Sequence, residues 1–296
     1  MTRAPRGPRP AAVTRLLGRI HGLDPWLRPL RPARTAARRA LLRAYPPPNA
    51  ARWIGVEAPV VPGVRLRLDP RSYIEWEVLF TGYEPEVREL LRRALRPRDA
   101  AIDVGANVGA HTLVMAATGA RVVACEPNPS LRARLEINLE LNGLDNVAVR
   151  PYALAAESGS VILHVPADPV HSGGASLAAG LHEHLEESEE VIVEAVTVDE
   201  LVAREGIDKL RLLKVDVEGL EAAVLAGAAG VLERDRPDLA FEFTRDWWAA
   251  TGGSLDQVLD RLRALGYRSR MVTWRGLRPI PPSPPERMNV WATIRG

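Results

Sequence analysis

A run of nine residues, AIDVGANVG at positions 101–109, constrains the fold of this chain more than any other feature. The apolar residues around Asp103 predict a buried strand, and Gly105 and Gly109 permit a tight turn before a helix. A strand, a glycine-containing turn and a helix together form the first half of a nucleotide-binding βαβ unit. The run therefore predicts a parallel sheet with a ligand at the carboxyl ends of its strands.

The spacing within this run indicates which ligand is bound. An acid before G-x-x-x-G differs from the G-x-G-x-x-G of dinucleotide-binding proteins, and Asp103 would repel a phosphate. S-adenosylmethionine carries no phosphate but has an ammonium and a sulfonium group. Glu126 ends the next predicted strand, where a carboxylate can accept hydrogen bonds from both ribose hydroxyls. We predict S-adenosylmethionine as the cofactor, the alternative being that Asp103 is a helix N-cap and Glu126 a solvated strand end.

Strands and helices alternate from residue 51 onward, which predicts βαβ units in one α/β domain over residues 51–296. The helices are expected at 108–118, 129–142, 220–226 and 255–265. The strands are expected at 100–104, 121–125, 146–152, 161–165, 191–198, 210–215, 238–243, 268–273 and 289–294.

Residues 1–50 differ from the remainder in charge. They hold eleven arginines and one acid, Asp24, and end in a run of prolines, so we predict a basic Arg/Pro-rich extension. It is either loosely ordered or touches an anionic membrane surface or a partner. The remaining residues hold 28 bases and 36 acids, a net charge of −8, which argues against a nucleic-acid substrate. Because no long apolar run or signal peptide is apparent, we expect a cytoplasmic protein.

The segment LKVDVEG at positions 213–219 supplies candidate catalytic residues. Alternation along a strand places Lys214, Asp216 and Glu218 on one face, at the carboxyl end of a central strand where ligands bind. We predict Asp216 as general base or metal ligand, Glu218 as the second candidate and Lys214 as their partner. The alternative is an ion-pair network that stabilises the turn at Gly219.

Five motifs together resemble the FkbM-type methyltransferases: IDVGANVG at 102–109, EPN at 126–128, TVDEL at 197–201, LKVDVEG at 213–219 and VLAGA at 224–228. The resemblance spans about residues 78–244. It implies the class I, Rossmann-like methyltransferase fold, a doubly wound, mostly parallel, seven-stranded sheet whose last strand is antiparallel. It also implies transfer of a methyl group from S-adenosylmethionine, usually to a hydroxyl.

We expect the cofactor to contact residues from the glycine turn, from the end of the second strand and from two further segments. Ala153 is expected at the adenine edge and Glu84 near the methionine end. The full expected set is Asp103, Gly105, Ala106, Asn107, Gly109, Glu126, Pro127, Ala153 and Glu84.

The sequence therefore predicts O-methylation of a small molecule such as a sugar, a polyketide or another secondary metabolite. A methyltransferase-like binding module without turnover and a nicotinamide-dependent reductase are the alternatives. A divalent metal ion could assist, with Asp216 as a candidate ligand, but we assign no metal site to His182 and His184, because the charge run around them is more typical of an exposed segment. His171 and Glu242 are further candidates near the acceptor. The acceptor itself and the oligomeric state are not determined by the sequence.

Overall fold

The structure is a computed structural model that describes residues 55–61, 63–81, 83–167 and 188–294. The chain divides into two compact units, Met1–Glu84 and Pro85–Gly296. The predicted basic extension and its boundary near residue 50 lie outside the described residues, so both stay predictions. Within the described residues, no helix combines the length and the apolar character needed to cross a bilayer.

The first unit contains a β-hairpin followed by a helix. Strand β1 (Val56–Val61) pairs antiparallel with β2 (Val64–Leu68), and helix α1 (Tyr73–Thr81) follows. Buried and exposed residues alternate along β2, as expected for a strand with one covered face. The buried carboxylate of Glu75 accepts a hydrogen bond of 2.7 Å from the backbone N–H of Asp69, which connects the helix to the end of the hairpin.

The second unit is built on an eight-stranded sheet. The strands are β3 (Ala100–Val104), β4 (Arg121–Cys125), β5 (Val147–Arg150), β9 (Leu210–Val215), β10 (Asp238–Thr244), β11 (Arg268–Thr273), β12 (Gly276–Arg278) and β13 (Arg287–Thr293). Their order in the sheet is β12-β11-β13-β10-β9-β3-β4-β5. The five neighbouring strands β5, β4, β3, β9 and β10 are parallel, and β13 is antiparallel to β10. The doubly wound, mostly parallel sheet with an antiparallel last strand is thus confirmed.

The eighth strand, β12, is an addition to the seven that were expected. It forms a hairpin with β11, in which the Thr273 hydroxyl donates a hydrogen bond of 2.7 Å to the carbonyl of Gly276. Gly276 has a φ of +93°, a conformation that permits this tight reversal. A smaller sheet outside the main one contains β6 (Ala153–Leu154), β7 (Gly159–Pro166) and β8 (Ser188–Val196), with β7 and β8 antiparallel.

Helices cover both faces of the large sheet. Ile102 and Val104 of β3 belong to one buried apolar cluster, whereas Ala101, which precedes Ile102, belongs to a second cluster on the opposite face. The helices of this unit are α2 (Pro85–Ala94), α3 (Thr112–Ala116), α4 (Pro129–Asn142), α5 (Val198–Arg204), α6 (Glu221–Ala226), α7 (Ala229–Arg234), α8 (Arg245–Ala250) and α9 (Leu255–Ala264).

Local capping explains why helix α4 was predicted with its observed bounds. The Asn128 side chain accepts a hydrogen bond from the N–H of Ser130, Pro129 occupies the first turn, and Gly143 ends the helix with a φ of +61°. Helix α3 is shorter than the predicted 108–118, because Asn107 and Gly109 have φ angles of +52° and +96° and extend the turn.

Candidate functional site

The turn after β3 lies directly against the end of β9. Gly105 has a φ of +73°, and a Cβ atom built on it would lie 1.9 Å from the carbonyl oxygen of Asp216. The N–H groups of Gly105 and Ala106 both donate to the carbonyl of Cys125 at 3.1 Å, which connects the turn to the end of β4. Only glycine fits at position 105, so the carboxyl ends of β3, β4 and β9 meet closely at this turn.

Glu126 follows β4 and is buried beside the turn. Its Oε2 accepts a hydrogen bond of 2.8 Å from the Asn107 N–H, and its Oε1 accepts one of 2.9 Å from the Asn128 N–H. Burial raises the pKa of Glu126 to about 7, although both N–H donors oppose the shift. A carboxylate oxygen can accept two hydrogen bonds, so each oxygen retains acceptor capacity for a ligand hydroxyl.

Asp103 is fully buried in the wall of the site. Its Oδ2 accepts a hydrogen bond of 2.6 Å from the Thr112 hydroxyl, and its Oδ1 lies 3.1 Å from the Nζ of Lys214. Burial raises the pKa of Asp103, and the charge of Lys214 opposes that shift. The carboxylate is therefore engaged by protein groups on both oxygens, and its predicted contact with a cofactor stays a prediction.

Lys214 lies between two acids of the predicted set. The register of β3 and β9 places Lys214 opposite Asp103, and its Nζ lies 3.4 Å from Oδ2 of Asp216. The Lys214 side chain is 5% exposed, whereas that of Asp216 is 19% exposed. Lys214 thus compensates the negative charges of both Asp103 and Asp216. Of the two carboxylates, that of Asp216 is the more accessible and can contact a substrate.

Glu218 does not continue the strand alternation. Strand β9 ends at Val215, and Glu218 has a φ of +52°, so it lies in a turn. Burial, followed by the negative charge of Asp216, raises the pKa of Glu218 to about 8. The structure therefore brings Lys214 and Asp216 into contact, and Glu218 approaches them from the turn.

Glu221 holds this turn in place and was missed by the sequence analysis. Its Oε1 accepts hydrogen bonds from the N–H groups of Val217 at 2.9 Å and Gly219 at 3.3 Å, and its Oε2 accepts one of 2.7 Å from the indole N–H of Trp248. Glu221 is 1% exposed, and burial raises its pKa to about 7. The available signal was an acid three residues after Glu218, at the start of an apolar helix.

Trp248 belongs to the core. It is 1% exposed, and its ring centroid lies 6.2 Å from that of Phe241 and 5.2 Å from that of Phe243. Glu242 is also buried, and its Oε1 lies 2.5 Å from the Nε of Arg287. Glu242 is thus a paired carboxylate at the end of β10.

His111 is a second residue of the site that the sequence analysis did not single out. It precedes α3, directly beside Thr112, and is buried. Burial lowers the pKa of His111 well below its usual value, and the charges of Lys214 and Arg88 add to the effect. His111 is therefore a neutral imidazole near the Asp103 and Lys214 pair.

The other predicted residues are distributed over the same edge and beyond it. Ala106 and Ala153 are buried, Asn107 accepts a hydrogen bond of 2.8 Å from the Val108 N–H, and Pro127 is half-buried before the α4 cap. Glu84 closes the first unit with a φ of +45°, and its role stays a prediction. His171, His182 and His184 lie outside the described residues.

Two kinds of sequence comparison identify relatives of this chain. Residues 103–269 match the Methyltransferase FkbM domain family. Hexuronic acid methyltransferase AglP of Haloferax volcanii is 31% identical over 174 residues, which cover 58% of this chain and 68% of that protein. AMB antimetabolite synthetase AmbE of Pseudomonas aeruginosa is 28% identical over 253 residues, which cover 73% of this chain but 11% of that protein.

A solved structure shows a weaker likeness. The crystal structure of methyltransferase FkbM from Methylobacillus flagellatus KT matches with 17% identity and a TM-score of 0.41, over 69% of this chain and 50% of that chain. The family match covers more than half of the chain and contains the turn, the Glu126 region and the Lys214 to Glu221 segment. The chain therefore belongs to the FkbM family of methyltransferases.

Proposed function

We propose that the chain is an S-adenosylmethionine-dependent O-methyltransferase that acts on a hydroxyl of a small carbohydrate, with a sugar acid as the first acceptor class to test. One observation carries the proposal. The buried carboxylate of Glu126 and the partly exposed carboxylate of Asp216 lie at the carboxyl ends of β4 and β9, the two strands that flank β3 and its turn at Gly105. Ligands bind at this edge in parallel α/β sheets.

The residues at this edge fit the proposed cofactor. Glu126 retains acceptor capacity for two ribose hydroxyls, and its neighbours Asn107 and Asn128 hold it through backbone N–H groups. The turn carries no basic side chain for a phosphate. When bound, S-adenosylmethionine supplies a methyl group on a positively charged sulfur. The acids near Lys214 favour a cationic ligand over a phosphorylated one.

Asp216 is the proposed proton acceptor. An alcohol becomes a good nucleophile only as its proton is removed, so a carboxylate beside the acceptor oxygen would take that proton as the new O–C bond forms and the methyl–sulfur bond breaks, with S-adenosylhomocysteine as the leaving group. Lys214, 3.4 Å from Asp216, orients this carboxylate and compensates its charge. Glu218 has a pKa of about 8 and is mostly protonated at neutral pH, so it is the second candidate. A divalent metal bound by Asp216 is the alternative way to activate the hydroxyl.

The acceptor class rests on charge and on the relatives. The chain outside residues 1–50 carries a net charge of −8, which disfavours a polyanionic nucleic acid. One relative is a hexuronic acid methyltransferase, which motivates the choice of sugar acids. The other relative matches over 11% of its length, so the activity of that whole protein supports no conclusion about this one.

The test is formation of S-adenosylhomocysteine with a panel of acceptors. Glucuronides, matched neutral glucosides and a short RNA are incubated with S-adenosylmethionine, and the products are analysed by mass spectrometry before and after mild alkali. A base-stable methyl ether on a glycoside supports the proposal. A base-labile methyl ester would place the methyl group on a carboxylate and would contradict transfer to a hydroxyl. Methylation of the RNA alone would contradict the acceptor class.

Two further results would overturn the enzymatic proposal. Tight binding of S-adenosylmethionine without turnover on any acceptor would favour a binding module. Calorimetric binding of NADPH in place of S-adenosylmethionine would favour a reductase. Glu126→Gln serves as the control, because it removes the proposed ribose acceptor and leaves Asp216 in place.

A further inference from the structure

A groove at the opposite edge of the sheet has a different chemical character. It has a volume of about 430 Å³ and lies at the amino ends of β9 and β10, where Arg211 and Asp238 are located. Its lining includes Arg93, Arg211, Arg268, Arg270, Asp238 and Trp291, which we call the arginine groove. The candidate active site lies at the carboxyl ends of the same strands, so the two sites are on opposite edges of the sheet.

The arginines of the groove are only partly neutralised by acids. Arg93 pairs with Glu89 at 2.6 Å, and Nη1 of Arg211 lies 3.0 Å from Oδ2 of Asp238. Arg268 and Arg270 are exposed, and neither guanidinium group has a hydrogen bond or an ion pair to any other described residue. The groove is lined by four guanidinium groups, of which two have a carboxylate partner, so it carries a net positive charge on a chain whose residues 51–296 carry −8 overall.

The strand register explains why the two unpaired arginines converge. Arg268 pairs with Thr293 and Arg270 with Trp291 on the neighbouring strand β13, so both side chains lie on the groove face of β11. Residues two apart on a strand are spaced by roughly 7 Å, which suits a ligand with two anionic groups. A guanidinium can bind phosphoryl or carboxylate oxygens through two parallel hydrogen bonds.

Arg211 is the most constrained cation of the groove. Its side chain is 21% exposed, and its partner Asp238 is itself held by the Thr293 hydroxyl, which donates to Oδ1 at 2.5 Å. This chain of contacts fixes Arg211 at the base of the groove before any ligand arrives. The volume lies within the range of small-molecule sites.

We propose that the arginine groove binds a small multivalent oxyanion, carrying phosphoryl or carboxylate groups, at a site separate from the candidate active site. Arg268 and Arg270 bind the anionic groups, and Arg211 completes the site. No step of the proposed methyl transfer depends on this groove.

Calorimetry on the full chain at low salt tests the proposal, with pyrophosphate and citrate as the probes. We expect at least one of the two anions to bind. Tighter binding of pyrophosphate would indicate a preference for phosphoryl groups, and tighter binding of citrate a preference for carboxylate groups. Arg268→Gln and Arg270→Gln should each weaken that binding about tenfold or more, since each removes charge-assisted hydrogen bonds. Arg278→Gln is the matched control, because Leu277 lines the groove and the next residue on β12 faces away from it.

Three results would overturn the proposal. The first is that neither pyrophosphate nor citrate binds. The second is that both groove variants bind the anion with the same affinity as the parent protein. The third is that Arg278→Gln weakens anion binding as much as the groove variants do. Equal affinity would point to the arginines of residues 1–50. S-adenosylhomocysteine affinity is measured on every variant and should stay unchanged, so failure of the groove proposal is distinguishable from failure of the proposed methyltransferase activity. If Arg270→Gln does not fold, Arg268→Gln is kept and Arg270→Lys is used in place of Arg270→Gln. Arg270→Lys should also weaken anion binding, because lysine lacks the forked hydrogen-bond donors of the guanidinium group.

Discussion

The hydrogen bond between Glu221 and Trp248 gives the sharpest test of how the turn before α6 is held. The perturbation is a double-mutant cycle of Glu221→Gln and Trp248→Phe. The Glu221 carboxylate accepts three hydrogen bonds, from Val217, Gly219 and the Trp248 indole. Glutamine has one acceptor oxygen and one NH2 donor. In either orientation of the amide, the NH2 group therefore faces another donor, which is the indole N–H or the two backbone N–H groups.

The magnitude follows from what each variant loses. Glu221→Gln removes at least one charge-assisted hydrogen bond and leaves a buried donor without an acceptor, an effect of about 2 to 4 kcal/mol. Removal of a buried charge offsets part of this loss, because burial raises the pKa of Glu221 to about 7. Trp248→Phe removes the same hydrogen bond together with part of the indole volume. The two variants therefore share one interaction, and the expected coupling energy is about 1.5 to 3 kcal/mol.

Urea denaturation of the four proteins at about pH 8 measures the cycle, since Glu221 is then mostly ionised. Thr293→Val combined with Glu221→Gln is the control pair, because Thr293 is hydrogen-bonded to Asp238 at the other edge of the sheet. That pair should be additive within about 0.5 kcal/mol. A coupling energy below about 0.5 kcal/mol for Glu221 and Trp248 would refute the idea that this hydrogen bond stabilises the turn.

Further outcomes are expected at the cofactor and acceptor ends of the site. Glu126→Gln should weaken S-adenosylmethionine binding about ten- to a hundredfold by calorimetry, and unchanged affinity would remove Glu126 from the site. Burial raises the pKa of Glu126 to about 7 and the ribose hydroxyls require its ionised form, so affinity should fall about tenfold per pH unit below that value, whereas Glu126→Gln should show no such dependence. Asp216→Asn should lower kcat about a hundred- to ten-thousandfold with little change in cofactor affinity; retention of more than about a tenth of the rate would favour Glu218, and a loss of wild-type rate in EDTA would favour the metal-ligand role. Gly105→Ala should destabilise the fold by more than about 2 kcal/mol in urea, because its Cβ would lie 1.9 Å from a carbonyl oxygen. Deletion of residues 1–45 should leave cofactor affinity intact, and a folded truncation that fails to bind would place the boundary elsewhere.

Much of the fold could be predicted because its signals are local. The apolar runs of β3, β4 and β9 gave the observed bounds, those of β11 were also predicted, and the caps of α4 are set by residues within one turn of its ends. Short elements were missed, including the hairpin of β1 and β2, although β2 has the alternating pattern VRLRL, and helix α8. Six residues cannot show a helical repeat clearly, so α8 is formed mainly because Trp248 packs against Phe241 and Phe243.

The sequence by itself determined which residues occupy the carboxyl edge, because strand ends and the turn at Gly105 are encoded within a few positions. Only the tertiary structure decided their partners. The register of β3 and β9, residues far apart in the chain, places Lys214 between Asp103 and Asp216 and buries Asp103 completely. The contact of Glu221 with Trp248 and the meeting of β11 with β13 at the arginine groove likewise depend on strand order. Strand order and register are set by packing of the whole sheet, and no local pattern of residues contains that information.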